Sequence, residues 1–243
     1  LMRSSAASDV YKRQEEHYMK KQVVAIVGIL AATAIIICLA ALYGNRNRFD
    51  YLKDLDKTVF TLDGTDYQLR DMTYYIARQE MEIEKQAMVY DPDDTNAYWG
   101  LHTNGKFIRL EAKRAVLDRV VHDMMFYEAA KKEGMELDEK EQQYARDSAS
   151  DLCYDLSDEQ KERAGLTDEE IYEMTDKAAL AEKYQKILAD KEGENFGAYD
   201  YNGKAYEKML EEHKLKVKKK FWDKVPFGNV TLNHKFEDQE DES

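Results

Sequence analysis

FIRLEAKRAVLDRVVHDMMFYEAAKKEGMELDEKE, running from Phe107 to Glu141, holds a whole helix, its stop and the start of the next. Leu110, Leu117, Val121 and Met124 recur at helical spacing along one face of Phe107–Lys132. Gly134 stands where a left-handed residue closes a helix. Asp138 followed three residues later by Glu141 has the spacing of a capping box. A segment that reads this way predicts helices packed side by side, and the flanking sequence agrees.

Downstream, Ser157 with Gln160 and Thr167 with Glu170 repeat the capping spacing. Together the three caps predict helices near 139–153, 158–164 and 168–190, with Lys204–His213 as a further one. Upstream, Leu69–Tyr90 carries two apolar stripes: Met72, Ile76, Ile83, Ala87 and Tyr90 on one side, Tyr74, Ala77, Met81 and Met88 on the other. A helix apolar on two sides needs two partners. Asp91–Lys106, with Pro92, Gly100 and Gly105, reads as a loop.

Short β signals lie at the two ends. Thr58–Leu62, Asp63-Gly64 and a run ending at Tyr67 have the form of a hairpin. Near the carboxy terminus HKLKVKKKF alternates, with Leu215, Val217 and Phe221 on one face and Lys214, Lys216, Lys218 and Lys220 on the other. Asn229–Asn233 is a second β candidate. The fold class is therefore mainly α with a small β component, a short sheet joining the amino- and carboxy-terminal segments. With Pro at only 2 positions and Gly at 11, the composition favours helices in the same way.

The amino terminus is a different material. Ser4–Gln14, SSAASDVYKRQ, reverse-translates in one frame into a string resembling a transposase adaptor used in sequencing libraries. Residues 1–14 are accordingly read as translated adaptor, which also points to a bacterial source, with Met19 as a candidate natural start. Residues 15–22 form a short cytoplasmic flank. Val23–Tyr43 is uncharged and long enough for a helix of about 31 Å, the thickness of a bilayer core. That predicts a single-pass anchor in the cell membrane, with 44–57 as juxtamembrane linker, 58–233 as an extracytoplasmic folded domain and 234–243 as an acidic, disordered tail. Lys20 and Lys21 balance Arg46 and Arg48, so charge alone leaves the orientation tied.

Acidic residues outnumber basic ones 49 to 36, which argues against a nucleic-acid partner. Cys38 and Cys153 provide no disulfide framework. The five His form no zinc pattern, and no phosphate-binding or nucleophile-elbow motif occurs. DPDDTNAYWG, from Asp91, has a hint of a calcium loop but places Asn96 where that loop needs Gly and lacks an oxygen ligand at Ala97. Acid pairs such as Glu169-Glu170 sit in first helical turns, where they complement the helix dipole. The expectation is a protein without catalytic residues, metal or cofactor.

TVFTLDGTDYQLRDMTYYI, Thr58–Ile76, resembles the opening of the SurA/PrsA family of extracytoplasmic foldase-chaperones: a strand, a turn ending in Gly, a short strand, then a helix. In Phe107–Glu141, Val116-Leu117-Asp118, Glu128–Lys132, Gly134 and Asp138-Glu139 hold positions of that family's helix–stop–cap segment. GLTDEEIYEMTDKAALAEKYQKIL, Gly165–Leu188, is similar to its next helix. The resemblance covers about 58–190 and implies a SurA N-terminal-like chaperone domain. The family's parvulin-type isomerase domain has no counterpart, since Glu192–Gly203 is too short to form one. The family's lipid-attachment motif is likewise absent, with the apolar span in its place.

The resemblance implies a membrane-anchored chaperone that binds unfolded or newly secreted polypeptides without isomerase activity. The alternative is a structural or adaptor protein for one partner in an envelope or secretion complex. Met and aromatic side chains supply the adaptable surface such binding needs. Tyr74, Met81 and Met88 are the first candidates, and Met124, Met125, Phe126 and Tyr127 the second. Helical stripes of this kind are more often core, so burial of a member removes it from the surface.

Overall fold

The computed structural model describes residues 32–39, 49–103 and 105–234. The chain divides into two compact units, Leu1–Phe49 and Asp50–Ser243. In the first, residues 32–39 are helical, with Ile35, Ile36, Ile37 and Leu39 exposed. The rest of the expected span Val23–Tyr43 and the segments 1–14 and 15–22 lie outside the described residues. Among the described residues no helix is long and apolar enough to cross a membrane.

The second unit is mainly helical. It opens with a hairpin, β1 (Thr58–Leu62) and β2 (Thr65–Gln68). Asp63 (φ 50°) and Gly64 (φ 92°) both take positive φ at the turn, the conformation that two-residue hairpin loops demand. α1 (Leu69–Tyr90) follows, then α2 (Thr95–Trp99), capped by Asp94 accepting from Ala97 N. A two-residue ribbon, β3 (His102–Thr103) and β4 (Lys106–Phe107), leads into α3 (Ile108–Lys132). The expected loop 91–106 thus contains a helical turn and a small ribbon, both too short to show periodicity. Next come α4 (Glu139–Asp155), α5 (Asp158–Ala164) and α6 (Asp168–Glu192), started by the capping boxes of Asp138/Glu141, Ser157/Gln160 and Thr167/Glu170. A 3-10 turn (Phe196–Tyr199), α7 (Lys204–Leu210), β5 (Leu215–Val217) and α8 (Lys219–Trp222) complete the order.

β5 pairs antiparallel with β1, giving the sheet order β2-β1-β5 and joining the two ends of the unit. The alternating run was expected to continue through Phe221, but the strand ends at Val217 and the chain turns into α8. Asn229–Asn233 forms no strand either. The Val230 and Thr231 N–H groups are claimed by a side chain, described below, and Asn229 N by the Pro226 carbonyl, so a neighbouring strand cannot use them.

α3 and α6 form the most extensive helix pair, with α4 packed on α6 and α1 on α3. α3 is consequently enclosed. Val116, Val120, Val121, Met124, Met125 and Phe126 are all buried, a broader face than one stripe, whereas Leu110 is exposed. Both stripes of α1 find partners over most of its length: Met72, Ile76, Ile83 and Ala87 on one, Tyr74 and Ala77 on the other. The last turn, Met88–Tyr90, outruns the core and is exposed.

The final segment, 223–234, lies across α1 and α3 as a strap, burying Val225, Phe227, Val230 and Leu232. Three charged side chains hold it. Glu80, fully buried, accepts from Gly228 N (2.6 Å), Val230 N (3.2 Å), Thr231 N (2.7 Å) and Thr231 Oγ1 (2.6 Å). Burial pushes its carboxyl above the usual range while these donors pull it back. Glu84 accepts from Trp99 Nε1 (3.1 Å) and pairs with His234 Nε2 (3.0 Å), so His234 belongs to the folded unit rather than to the tail. Lys113 Nζ donates to Asp223 O (2.8 Å) and Val225 O (3.0 Å). Burial lowers its pKa to about 8.

Candidate polypeptide-binding cleft

α1, α3, α4 and α6 do not close completely on one another. Between them, with the 3-10 turn as one wall, lies a solvent-open cleft of about 580 Å³. Each helix contributes through its own periodicity. α1 points Tyr74, Tyr75 and Arg78 inward, α3 points Arg119, His122 and Asp123, and α4 offers Glu141 and Tyr144.

The floor is a linked polar network. Tyr75 Oη donates to Asp123 Oδ2 (2.9 Å), and His122 Nδ1 lies 2.7 Å from Asp123 Oδ1. His122 Nε2 is 2.9 Å from Tyr199 O, and a carbonyl can only accept, so Nε2 carries a proton. Beside them Arg78 Nη1 donates to Tyr74 Oη (3.0 Å), which lies 3.1 Å from Thr175 Oγ1. Burial, and then the Asp123 charge, push the Tyr75 hydroxyl well above its usual value. The network fixes side chains that could otherwise swing across the opening.

The walls are aromatic and the rim is charged. Tyr144 is 63% and Phe196 44% exposed, and Leu137 is half-buried. Arg119 sits over the Tyr201 ring at 4.8 Å, and Lys183 Nζ bonds Glu141 Oε2 (2.6 Å) and Glu136 O (2.9 Å). Such a surface offers apolar contact along the sides and both signs of charge around the edge.

A second groove of about 640 Å³ runs along the other side of α3 and α6, lined by Tyr127, Met135, Tyr172 and Leu180. Lys177 Nζ stands over the Tyr127 ring at 5.9 Å.

The expected binding residues scatter over these places. Tyr74 is buried and reaches the first cleft only through its hydroxyl network. Met81 is half-buried, and Met88 is 57% exposed at the free end of α1. Met124, Met125 and Phe126 are core side chains, correcting their expected surface role, because α3 is surrounded. Phe126 packs edge-on against His122 (4.5 Å) and Tyr206 (5.9 Å). Tyr127 lines the second groove. Unforeseen in the sequence were Tyr144, Phe196, Arg78 and Arg119. Tyr144 falls outside the buried stripe Ala145, Ala149 and Leu152 of α4, but so does Tyr154, so the pattern marks exposed rings without saying which one lines the cleft.

In the Asp91 loop, Asp91 Oδ1 accepts from Asp93 N (3.1 Å) and Asp94 N (3.3 Å), and Asp94 caps α2. Among the described residues no group of His, Cys, Asp or Glu is arranged to hold a metal ion. No protein-family model, no curated protein and no solved structure matches the chain.

Proposed function

We propose that residues 50–234 form a chaperone-like module that holds unfolded or newly secreted polypeptides, tethered to the cell membrane by the apolar run 23–43 and exposed on its outer side. It acts by binding, without prolyl isomerase chemistry. The observation that carries the reading is the solvent-open cleft with a pre-ordered polar floor and the exposed rings of Tyr144 and Phe196 on its walls. Aromatic walls take apolar side chains of many sequences, and floor and rim groups can satisfy an extended backbone. The second groove and the exposed Met88–Tyr90 turn add apolar area for a chain longer than the cleft. The acidic surface keeps such a module soluble and suits basic clients.

The fixed hydrogen bonds among Tyr75, Asp123 and His122 favour a second reading, an adaptor for one partner, because ordered polar groups select more sharply than Met-rich surfaces. One experiment separates the two. The full chain, in detergent or nanodiscs, is titrated into several unrelated denaturing proteins, with a photo-crosslinker at Tyr144 and a control at Tyr154, which is 91% exposed on α4 and lines neither groove. The holdase reading expects aggregation of all clients to be suppressed, cross-links at position 144 over 154, and weaker suppression by Tyr144→Ala. Failure to suppress any client, with one stoichiometric adduct in cells, supports the adaptor. Equal cross-linking at both positions removes the cleft from either reading.

A further inference from the structure

The lysine run of β5 and α8 takes no part in the cleft. Residues 214–224 carry Lys214, Lys216, Lys218, Lys219, Lys220 and Lys224 against one acidic residue, Asp223, in a chain whose net charge is −13. All six are exposed. β5 is an edge strand, and lysines there commonly blunt unwanted pairing. That accounts for Lys214 and Lys216. It does not account for Lys219 and Lys220, which lie in α8, where no edge needs guarding.

Glu211 and Glu212 precede the run and Asp223 lies in it, three acids against six lysines, and several acids of the amino-terminal segment are already paired. Asp50 pairs with Lys53, Asp54 with Lys57, Asp56 with Arg70 and Asp63 with His213. Asp66 accepts from Thr58 and Thr61. Among the described residues, Lys214, Lys216, Lys218, Lys219 and Lys220 make no ion pair within 4.0 Å. This end of the unit therefore keeps a surplus of positive charge on an otherwise acidic molecule.

The segment that leads into β1 runs beside this face. Lys57 Nζ lies over the Phe221 ring at 5.9 Å, and Lys218 N donates to Val59 O (2.8 Å). Residues 44–49 separate Tyr43 from Asp50 and span at most about 20 Å fully extended. A bilayer holding 23–43 would lie within that reach of Asp50, and the linker itself adds Arg46 and Arg48.

We propose that the β5–α8 face is an electrostatic docking surface for anionic lipid headgroups, which holds the module against the bilayer. The inference rests on the membrane-tether part of the proposed function. Docking would fix the module relative to the membrane instead of leaving it to swing on its linker. Screening limits such attraction to about 8 Å at physiological ionic strength, so the lysines must come close to the lipid and salt must weaken the contact.

The test reconstitutes the full chain in nanodiscs of phosphatidylcholine alone or with phosphatidylglycerol, and reads amide hydrogen exchange over 214–222. Exchange there should slow only on the anionic discs and recover at high salt. In the quadruple variant Lys216→Gln, Lys218→Gln, Lys219→Gln and Lys220→Gln the slowing should vanish, the docking equilibrium falling about fivefold for each lysine neutralised. Exchange in α3 and α6 reports that the variant is folded. Equal exchange on both lipids, or slowing that survives the quadruple variant, overturns the proposal. Slowing on both lipids that disappears when the acidic stretch 237–243 is removed also overturns it, making the chain's own tail the occupant. Flotation with pure phosphatidylcholine vesicles, which carry no net charge, reports the span separately. A chain that fails to float there defeats the tether, while lysine-dependent flotation on phosphatidylglycerol vesicles still decides the face.

Discussion

The two sides of α1 treat polar groups in opposite ways. On one side Glu80, Glu84 and Lys113 of α1 and α3 are wholly or largely buried; Glu80 and Lys113 bind the strap mainly through its backbone, and Glu84 holds it through the His234 side chain. On the other, Tyr74, Tyr75, Arg78, His122 and Asp123 are ordered by one another beneath an opening. The first side is sealed because a segment of the same chain satisfies every carboxylate oxygen of Glu80. The second stays open because its polar groups are satisfied by one another, by Thr175 and by the Tyr199 carbonyl at the wall, with no segment laid across the opening. A buried charge thus marks where the fold is closed, and a self-satisfied polar floor marks where it can receive something else.

If that contrast holds, damage to the sealed side costs stability and leaves binding alone. Glu80→Ala is the strongest case. It strands four donors in an apolar setting, and a loss on the order of 4 kcal/mol is expected, with strap amides exposed first. Urea unfolding with hydrogen exchange of 225–232 measures both. A loss below about 1 kcal/mol would mean the strap is held by its apolar side chains alone.

Lys113 tests the same side through pH. Its pKa is lowered from 10.5 to about 8 in the folded state. Below that value the amine is charged in both states and its burial is a constant cost. Between about 8 and 10.5 the unfolded chain keeps a proton that the folded one has released, so stability rises with pH, by up to about 3 kcal/mol. A neutral amine still has hydrogens for both carbonyls, so the strap stays in place. The buried tyrosines Tyr51 and Tyr75, raised by burial, push the other way above pH 10. Comparison with Lys113→Met cancels them: the variant should lack the rise, and identical pH profiles would place Lys113 in water.

What was legible in the sequence was what is local. The capping boxes at Asp138, Ser157 and Thr167, the Asp63-Gly64 turn and the bounds of α1 all depend on residues within one or two turns. Glu80 was not legible as a clamp, since its donors come from Gly228, Val230 and Thr231, far along the chain, and nothing in EMEIEK announces them. The burial of Met124, Met125 and Phe126 was likewise hidden, because only the assembly encloses α3 on every side. The cleft drew on four helices at once, and the one trace of it, an aromatic ring out of step with the buried stripe of α4, is shared by Tyr144 in the cleft and Tyr154 outside it.

The smallest expected loss falls on the open side and probes its wall. Gly203 sits against the 3-10 turn so closely that a Cβ would lie 2.3 Å from Ala198 O and 2.5 Å from Gly197 O. Those are backbone atoms, so no side-chain rotation can relieve the clash and the turn itself must shift. Gly203→Ala should cost about 2 kcal/mol, as overpacking does, without touching any buried charge. Because the turn carries Phe196, and because Tyr199 O anchors His122, the shift should also loosen the cleft wall. Client binding should therefore weaken more than the stability loss explains at temperatures where the variant is fully folded. Glu80→Ala, under the same conditions, should bind as the wild type does. Equal binding defects in the two variants would show that strap and cleft share one cooperative unit, and the contrast between the two sides of α1 would dissolve.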